Sequence, residues 1–248
     1  MKHRSQTIGI LLLILTSVIP LSGQEEEEKF PSWQGNVSLG ITMNKGNSNT
    51  TDVSFDFTAD HRFSEKIVWR NSGLVMYGQA DRITTKEAYQ LGTALNWNHS
   101  ARILSYFRVQ GVRDRFKNYD YRFLPGLGLG YKLLTREKLK LMLSSGLSLV
   151  TTRFYDTGDR DTYAALALSD EFIWDISENA QFNQKWELNF NFEDFGHVVW
   201  HLEASLITNL IKSWAVKLTF VNIHDGKPVG DGIEKDDYSF IAGISKKF

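Results

Sequence analysis

Residues 54–63 read SFDFTADHRF. Every second residue from Phe55 gives Phe55, Phe57, Ala59, His61 and Phe63. The intervening set is Ser54, Asp56, Thr58, Asp60 and Arg62. Strict alternation describes a β-strand with two unlike faces. Which of the two meets the interior decides the fold.

The same pattern recurs along the chain. Trp33, Gly35, Val37, Leu39, Ile41 and Met43 alternate with Gln34, Asn36, Ser38, Gly40 and Thr42. Further alternating runs are carried by Tyr89–Trp97, Phe123–Leu133, Leu139–Leu149, Phe182–Phe192, Val198–Leu206, Trp214–Phe220 and Tyr238–Phe248. Less regular strands fall near 67–79, 102–113 and 162–174, so the pattern predicts about twelve strands. No long segment after Trp33 has a helical period.

The connections alternate as well. Short ones are predicted at Ser64–Lys66, Asn98–Ser100, Thr135–Arg136, Ser177–Asn179 and Lys212–Ser213. Longer ones are predicted at Asn44–Asn49, Ala80–Lys86, Arg115–Asp120, Thr152–Asp161 and His224–Lys235. Short turns at one end, long loops at the other and an even strand count follow the plan of outer-membrane barrels. The predicted strands run roughly 11–14 residues, against about 5–6 in soluble proteins. A tilted strand needs about 9–11 residues to cross the hydrocarbon of a membrane.

Tryptophan answers the opening question. Trp33, Trp69, Trp97, Trp174 and Trp214 all fall beside the N-terminal start or a short turn. That gathers them at one rim as an aromatic girdle at a membrane interface. The apolar face of SFDFTADHRF therefore points out to lipid and its polar face points in. A soluble sandwich or lipocalin-like barrel offers no reason for that grouping. The fold class is all-β, a transmembrane antiparallel barrel spanning residues 32–248 with periplasmic turns and extracellular loops.

Composition agrees. Among 248 residues, aromatics reach 13% and there are only four prolines, a balance that suits strands. The formal net charge of −1 gives no basic field for nucleic acid. Residues 1–23 read as a secretory signal: Lys2 and Arg4 precede an apolar run over Ile8–Ile19, and Ser22 and Gly23 suit cleavage. Residues 24–31, with Glu25–Glu28, read as a charged leader. The chain has no cysteine, which excludes disulfide scaffolds, cysteine nucleophiles and lipid attachment at the signal. The expected location is the outer membrane of a Gram-negative-type cell. Phe248, an aromatic ending the last strand on its apolar face, looks like an assembly signal read by the barrel-assembly machinery.

Three stretches carry a family resemblance: WQGNVSLGITMNKGNSNTTDVSF, DRFKNYDYRFLPGLGLGYKLL and KPVGDGIEKDDYSFIAGISKKF. They resemble the opening hairpin, central signature and closing hairpin of the YdiY-like family of salt-induced outer membrane proteins, domain of unknown function 481. The resemblance runs from Trp33 to Phe248 and implies an outer-membrane β-barrel. It brings no catalytic residues.

The residues themselves offer little chemistry of the enzymatic kind. His197 and His201 lie four apart on a predicted strand, about 13 Å, too far to share an ion. His201-Leu202-Glu203 lacks the cysteine ligands that a zinc deaminase needs. Pro125–Gly130 is no phosphate loop, since no helix follows. Its glycines fall on the inner face, where they make room for bulky groups or kink the wall, and Pro125 predicts a local bulge. No cofactor or metal site is expected, and the chain reads as a non-enzyme.

The inner face carries both signs of charge. Its lumen-lining candidates are Asp56, Asp60, Arg70, Arg108, Lys140, Lys185, Glu187, His201, Glu203 and Lys217. They either line a narrow water-filled pore or pair across the lumen and plug it; eight strands leave a filled interior and sixteen an aqueous channel. Asp170 falls on the lipid side of its strand, so a register slip is expected nearby. The loop acids Asp156, Asp159, Asp161, Asp225, Asp231, Glu234, Asp236 and Asp237 read as solvated carboxylates, with cation binding beside anionic lipid as the sharper alternative. The leading functional expectation is a narrow channel for ions or small solutes, tied to salt or osmotic stress by the resemblance. A structural, envelope-stabilising barrel comes second and a membrane enzyme last.

Overall fold

A computed structural model describes residues 33–46, 50–80, 83–230 and 232–248. The signal and leader segments, and Asp231, lie outside the described residues. Twelve strands follow in chain order: β1 (Gln34–Lys45), β2 (Thr50–Arg62), β3 (Ile67–Ala80), β4 (Ile83–Asn98), β5 (Ile103–Asp114), β6 (Tyr119–Arg136), β7 (Leu139–Phe154), β8 (Arg160–Asp175), β9 (Ala180–Asn191), β10 (Val198–Ile211), β11 (Trp214–Asp225) and β12 (Asp236–Lys247). A turn of 3-10 helix, Arg115–Lys117, sits between β5 and β6, capped by Asp114. Every strand pairs antiparallel with its chain neighbours, and β1 pairs with β12 through Leu39 and Ile244, closing the barrel.

The seam closes at Phe248. Its backbone exchanges two hydrogen bonds with Gly35, at 3.0 and 3.1 Å. Its ring lies over Gly35, where a Cβ would come within 2.8 Å of the phenyl Cζ. Glycine at 35 thus leaves room for the last residue of the barrel to dock on its first strand.

Burial is inverted relative to a soluble protein. Leu39 and Leu91 are each 62% exposed, whereas Thr42 is 0% and Ser54 1% exposed. The register makes this a property of whole faces. Leu39 stands opposite Phe55, and Phe55 opposite Val75, all on the outer wall. Ser38 stands opposite Asp56 on the inner wall. A continuous apolar surface around a closed barrel needs an apolar solvent. Closure also satisfies the backbone polar groups, which lipid cannot do.

The strands run further into the long-loop end than expected. β3 reaches Ala80 and β4 starts at Ile83, so no long connection forms over 80–86. Thr84 instead pairs with Gln79 beside a register shift between Gly78 and Gln79. At the other rim, Thr135 and Arg136 pair with Lys140 and Leu139, moving the turn to Glu137–Lys138.

Pro125 makes no bulge. It pairs with Val109 of β5, and the β6–β7 register is unchanged from Phe123–Thr151 to Lys132–Met142. A missing N–H costs one ladder bond but does not require an extra residue. The shifts in β6 lie nearer its ends, between Tyr119 and Tyr121 and between Lys132 and Leu134.

Asp170 brings no slip either. β8 keeps one register with β7 from Arg160 to Trp174 and one with β9 from Ala165 to Asp175. Asp170 stands level with Leu143 and Trp186, both outward-facing, so its side chain does lie on the outer wall.

Candidate functional site: a charged lumen in two halves

The half of the lumen near the short turns holds a cavity of about 500 Å³. Its lining includes Arg70, Arg108, Lys185, Glu187, His201, Glu203 and Lys217, from five strands. Each sits at an inward position of the alternation. Asp56 lies beside it, bonded to Lys217. Lys140 shares the inward phase but stands exposed at the short-turn rim, outside the cavity lining.

The charges reach across the barrel. Arg70 on β3 donates to Glu171 on β8 at 3.1 Å, and its Nε lies 3.5 Å from Asp60. Arg108 on β5 lies 2.6 Å from Glu187 on β9, which also meets Lys185 at 3.0 Å. Lys217 on β11 donates to Asp56 on β2 at 2.8 Å. Sequence separations of 101, 79 and 161 residues mark these as contacts made only by closing the sheet. The Nε2 atom of His201 and Oδ1 of Asn183 are buried without a protein partner at this cavity, as suits a wet lumen.

Room for this layer comes partly from glycine. A Cβ on Gly128 or on Gly146 would come within 2.6 Å of the Tyr106 hydroxyl. The inward glycines of the Pro125–Gly130 stretch thus receive a tyrosine from the neighbouring strand.

The half near the long loops is closed by a second, drier layer. Asp225 accepts from the Tyr119 hydroxyl at 2.6 Å, and its other oxygen lies 2.8 Å from His197 Nε2. Arg122 lies 3.5 Å from Asp225, and donates to the Tyr119 hydroxyl at 2.8 Å and to Thr152 at 2.9 Å. Lys86 pairs with Asp114 at 3.2 Å, and Lys117 with Asp237 at 2.9 Å. All of these but His197, at 12% exposed, have side chains no more than 11% exposed. Burial pushes the Lys117 ammonium below its ordinary value, and the carboxylates of Asp237 and Asp114 oppose that shift. Leu74, Met76, Leu124, Val221 and Ile223 line a smaller cavity of about 90 Å³ between the two layers.

This layer corrects the expectation of solvated loop acids at Asp225 and Asp237, while Asp156, Asp159, Asp161 and Glu234 are exposed. Asp225 ends β11 and Asp237 lies in β12, both facing in and both buried. The signal was the alternation itself: Asp225 continues the inward set Lys217, Thr219, Val221, Ile223, and Asp237 precedes Ser239 and Ile241 in the same way. Lys117 carried no such signal, because it lies in the 3-10 turn. His197 lies just before β10 rather than within it. Among the described residues, no three metal-binding side chains come together.

The five tryptophans expected at one rim lie there. Trp33 precedes β1, Trp69 and Trp214 open their strands, and Trp97 and Trp174 close theirs, all at the short-turn end. The Trp33 ring lies 5.6 Å from Trp69 and 4.9 Å from His61. Trp186 lies mid-wall in β9, and Trp200 lies towards the long loops, stacked on His224 at 3.7 Å.

An apolar belt outside, a charged lumen inside and complete closure define a transmembrane β-barrel. The chain belongs to family DUF481, described as a protein of unknown function, whose model matches residues 37–248. No curated protein matches the chain in sequence. Its fold is similar to that of the NanC porin, with a TM-score of 0.58 at 10% identity over 86% of this chain and 100% of that one. It is also similar to an outer membrane channel from Pseudomonas putida F1, with a TM-score of 0.51 at 10% identity over 91% and 100% of the two chains. The translocator domain of the autotransporter NalP from Neisseria meningitidis gives 0.50 at 10% identity over 90% of each chain. These are outer-membrane barrels, and the likeness is one of fold.

Proposed function

We propose that the protein is an outer-membrane barrel providing a narrow, gated passage for ions or small polar solutes. The observation that carries this is the 500 Å³ cavity with charges of both signs on its wall. A wall of mixed charge replaces part of an ion's hydration while holding neither sign strongly. In this reading the short turns face the periplasm, residues 1–23 direct export, and the strand ending at Phe248 is recognised during assembly. The second layer, from Lys86 to Asp237, is the gate: its ion pairs must separate for anything to cross. The family resemblance adds salt or osmotic stress as the setting. Dissolved salt screens exposed pairs more than buried ones, so the gate is expected to resist moderate ionic strength.

A second reading has an observation of its own. The buried layer fills the long-loop half, as in a barrel whose lumen is plugged and whose role is mechanical. Planar-bilayer recording of the refolded protein separates the two. The channel reading expects discrete conductance steps that become more frequent in the paired variant Lys117→Met/Asp237→Asn. A wild type and a variant that both fold, insert and pass no current would leave the plugged barrel.

A further inference from the structure

Among the described residues, the outer wall carries one carboxylate far from either rim, Asp170. Other outward-facing charges lie towards strand ends: Lys45, Glu87, Arg113, Arg136, Arg153, Arg160, Asp236 and Lys246. Asp170 stands four residues from Trp174, roughly 13 Å along the strand at about 3.3 Å per residue. It makes no hydrogen bond or ion pair among the described residues. Exposed Leu143 and Trp186 flank it in the same row. Several other polar groups on the wall are paired: Trp69 donates to Thr93 and Thr93 to Asn71, and Trp200 donates to Asn222.

A charged group in hydrocarbon is retained against a standing cost, and it needs a partner that reaches the same depth. Lipid headgroups do not, since they stay at the rims. The surroundings of Asp170 narrow the partner further. Gln184, on the next strand and one outward position away, presents an amide with no bond among the described residues, and Trp186 presents an indole N–H with none among them. Ser145 and Ala204 are small outward residues on β7 and β10 beside them. Acceptor, donors and small residues therefore share one patch.

We propose that this patch is the face on which two copies of the chain associate within the membrane. A two-fold axis through a patch brings each residue against its counterpart's neighbours. The Asp170 carboxylate of one copy then accepts from the amide or indole N–H of the other, twice per contact. Small residues allow close approach, and interhelical precedent in membranes shows polar side chains acting as the specific part of such contacts. A partner bearing only donors would satisfy Asp170 but would leave the Gln184 NH2 and the Trp186 N–H unmatched; a second copy matches acceptor and donors together.

The chain has no cysteine, so single cysteines report contact directly. Ser145→Cys places a thiol at the patch, and Leu91→Cys places one on β4, on another sector of the wall. Treated with a flexible bismaleimide in native outer membranes, S145C is expected to give a crosslinked dimer at least tenfold more abundant than L91C. Adding Asp170→Leu to S145C is expected to abolish the dimer while the barrel keeps its heat-dependent gel mobility. Asp170→Asn, which retains an acceptor, is expected to keep part of it. Sedimentation of the wild type in mild detergent should show the dimer mass. Equal crosslinking at both positions, a dimer that survives Asp170→Leu, a monomer in detergent with no crosslink in membranes, or attachment to a different protein would each overturn the proposal.

Discussion

Lys117 Nζ lies 2.9 Å from Asp237 Oδ2, tying the 3-10 turn after β5 to the final strand from inside the barrel. The two side chains are 7% and 11% exposed, so neither charge is solvated enough to stand alone. The pair locks a loop segment over the lumen and makes that closure depend on both partners.

Breaking a buried pair leaves one uncompensated charge, whereas replacing both leaves none. Lys117→Met and Asp237→Asn should each destabilise the barrel by about 3–5 kcal/mol, and the double variant by much less. Urea titrations of the protein folded in lipid measure this. Additive single effects would mean that the two residues act separately.

Lys185 and Lys217 should respond differently to charge reversal. The Lys185 side chain is 54% exposed beside Glu187, while Lys217 is 13% exposed against Asp56. Lys185→Glu should move the reversal potential in a salt gradient towards cation preference with little loss of stability. Lys217→Glu should cost several kcal/mol by setting two carboxylates together in a poorly solvated site. Comparable stability for both variants would show the lumen to be wetter at Lys217 than its burial indicates.

The outer belt makes a third expectation. Leu147 and Leu218 are 55% and 50% exposed on the wall. Changing either to Arg should cost about 2–4 kcal/mol when the barrel is refolded into bilayers, the range for a cation near the midplane. Lys140→Leu, at the exposed rim, should be close to neutral. Equal tolerance at all three positions would remove the membrane-spanning reading.

Orientation is open to direct labelling. Cysteines replacing Asp159 and Glu234, both exposed in long-loop connections, should react with an impermeant maleimide on intact Gram-negative cells. Cysteines replacing Glu65 and Glu178, exposed in short turns, should react only after the outer membrane is opened. The reverse pattern would turn the barrel over.

The outer wall was legible in the sequence because alternation is local. Period two assigns Phe55, Phe57 and Ala59 to one face without knowledge of any neighbour. The inner positions of Arg108, Lys185 and Lys217 follow from the same phase. Local features mislead where they point two ways. Pro125 suggested a bulge, but the ladders on both sides of β6 hold its register. Asp170 suggested a slip because a carboxylate on the lipid face looked too costly, yet alternation was the better guide.

Sequence by itself thus determined the strand pattern, the lipid-facing set and the rim to which five tryptophans belong, since each depends on residues close along the chain. Only closure of the barrel decided which charges meet. Arg70 finds Glu171 and Lys217 finds Asp56 because the sheet curves until β3 faces β8 and β11 approaches β2. Strand number and register set that curvature jointly. Pairings across the lumen therefore carry no local signature, and the division into a half with a charged cavity and a half filled by buried ion pairs belongs to the tertiary structure alone.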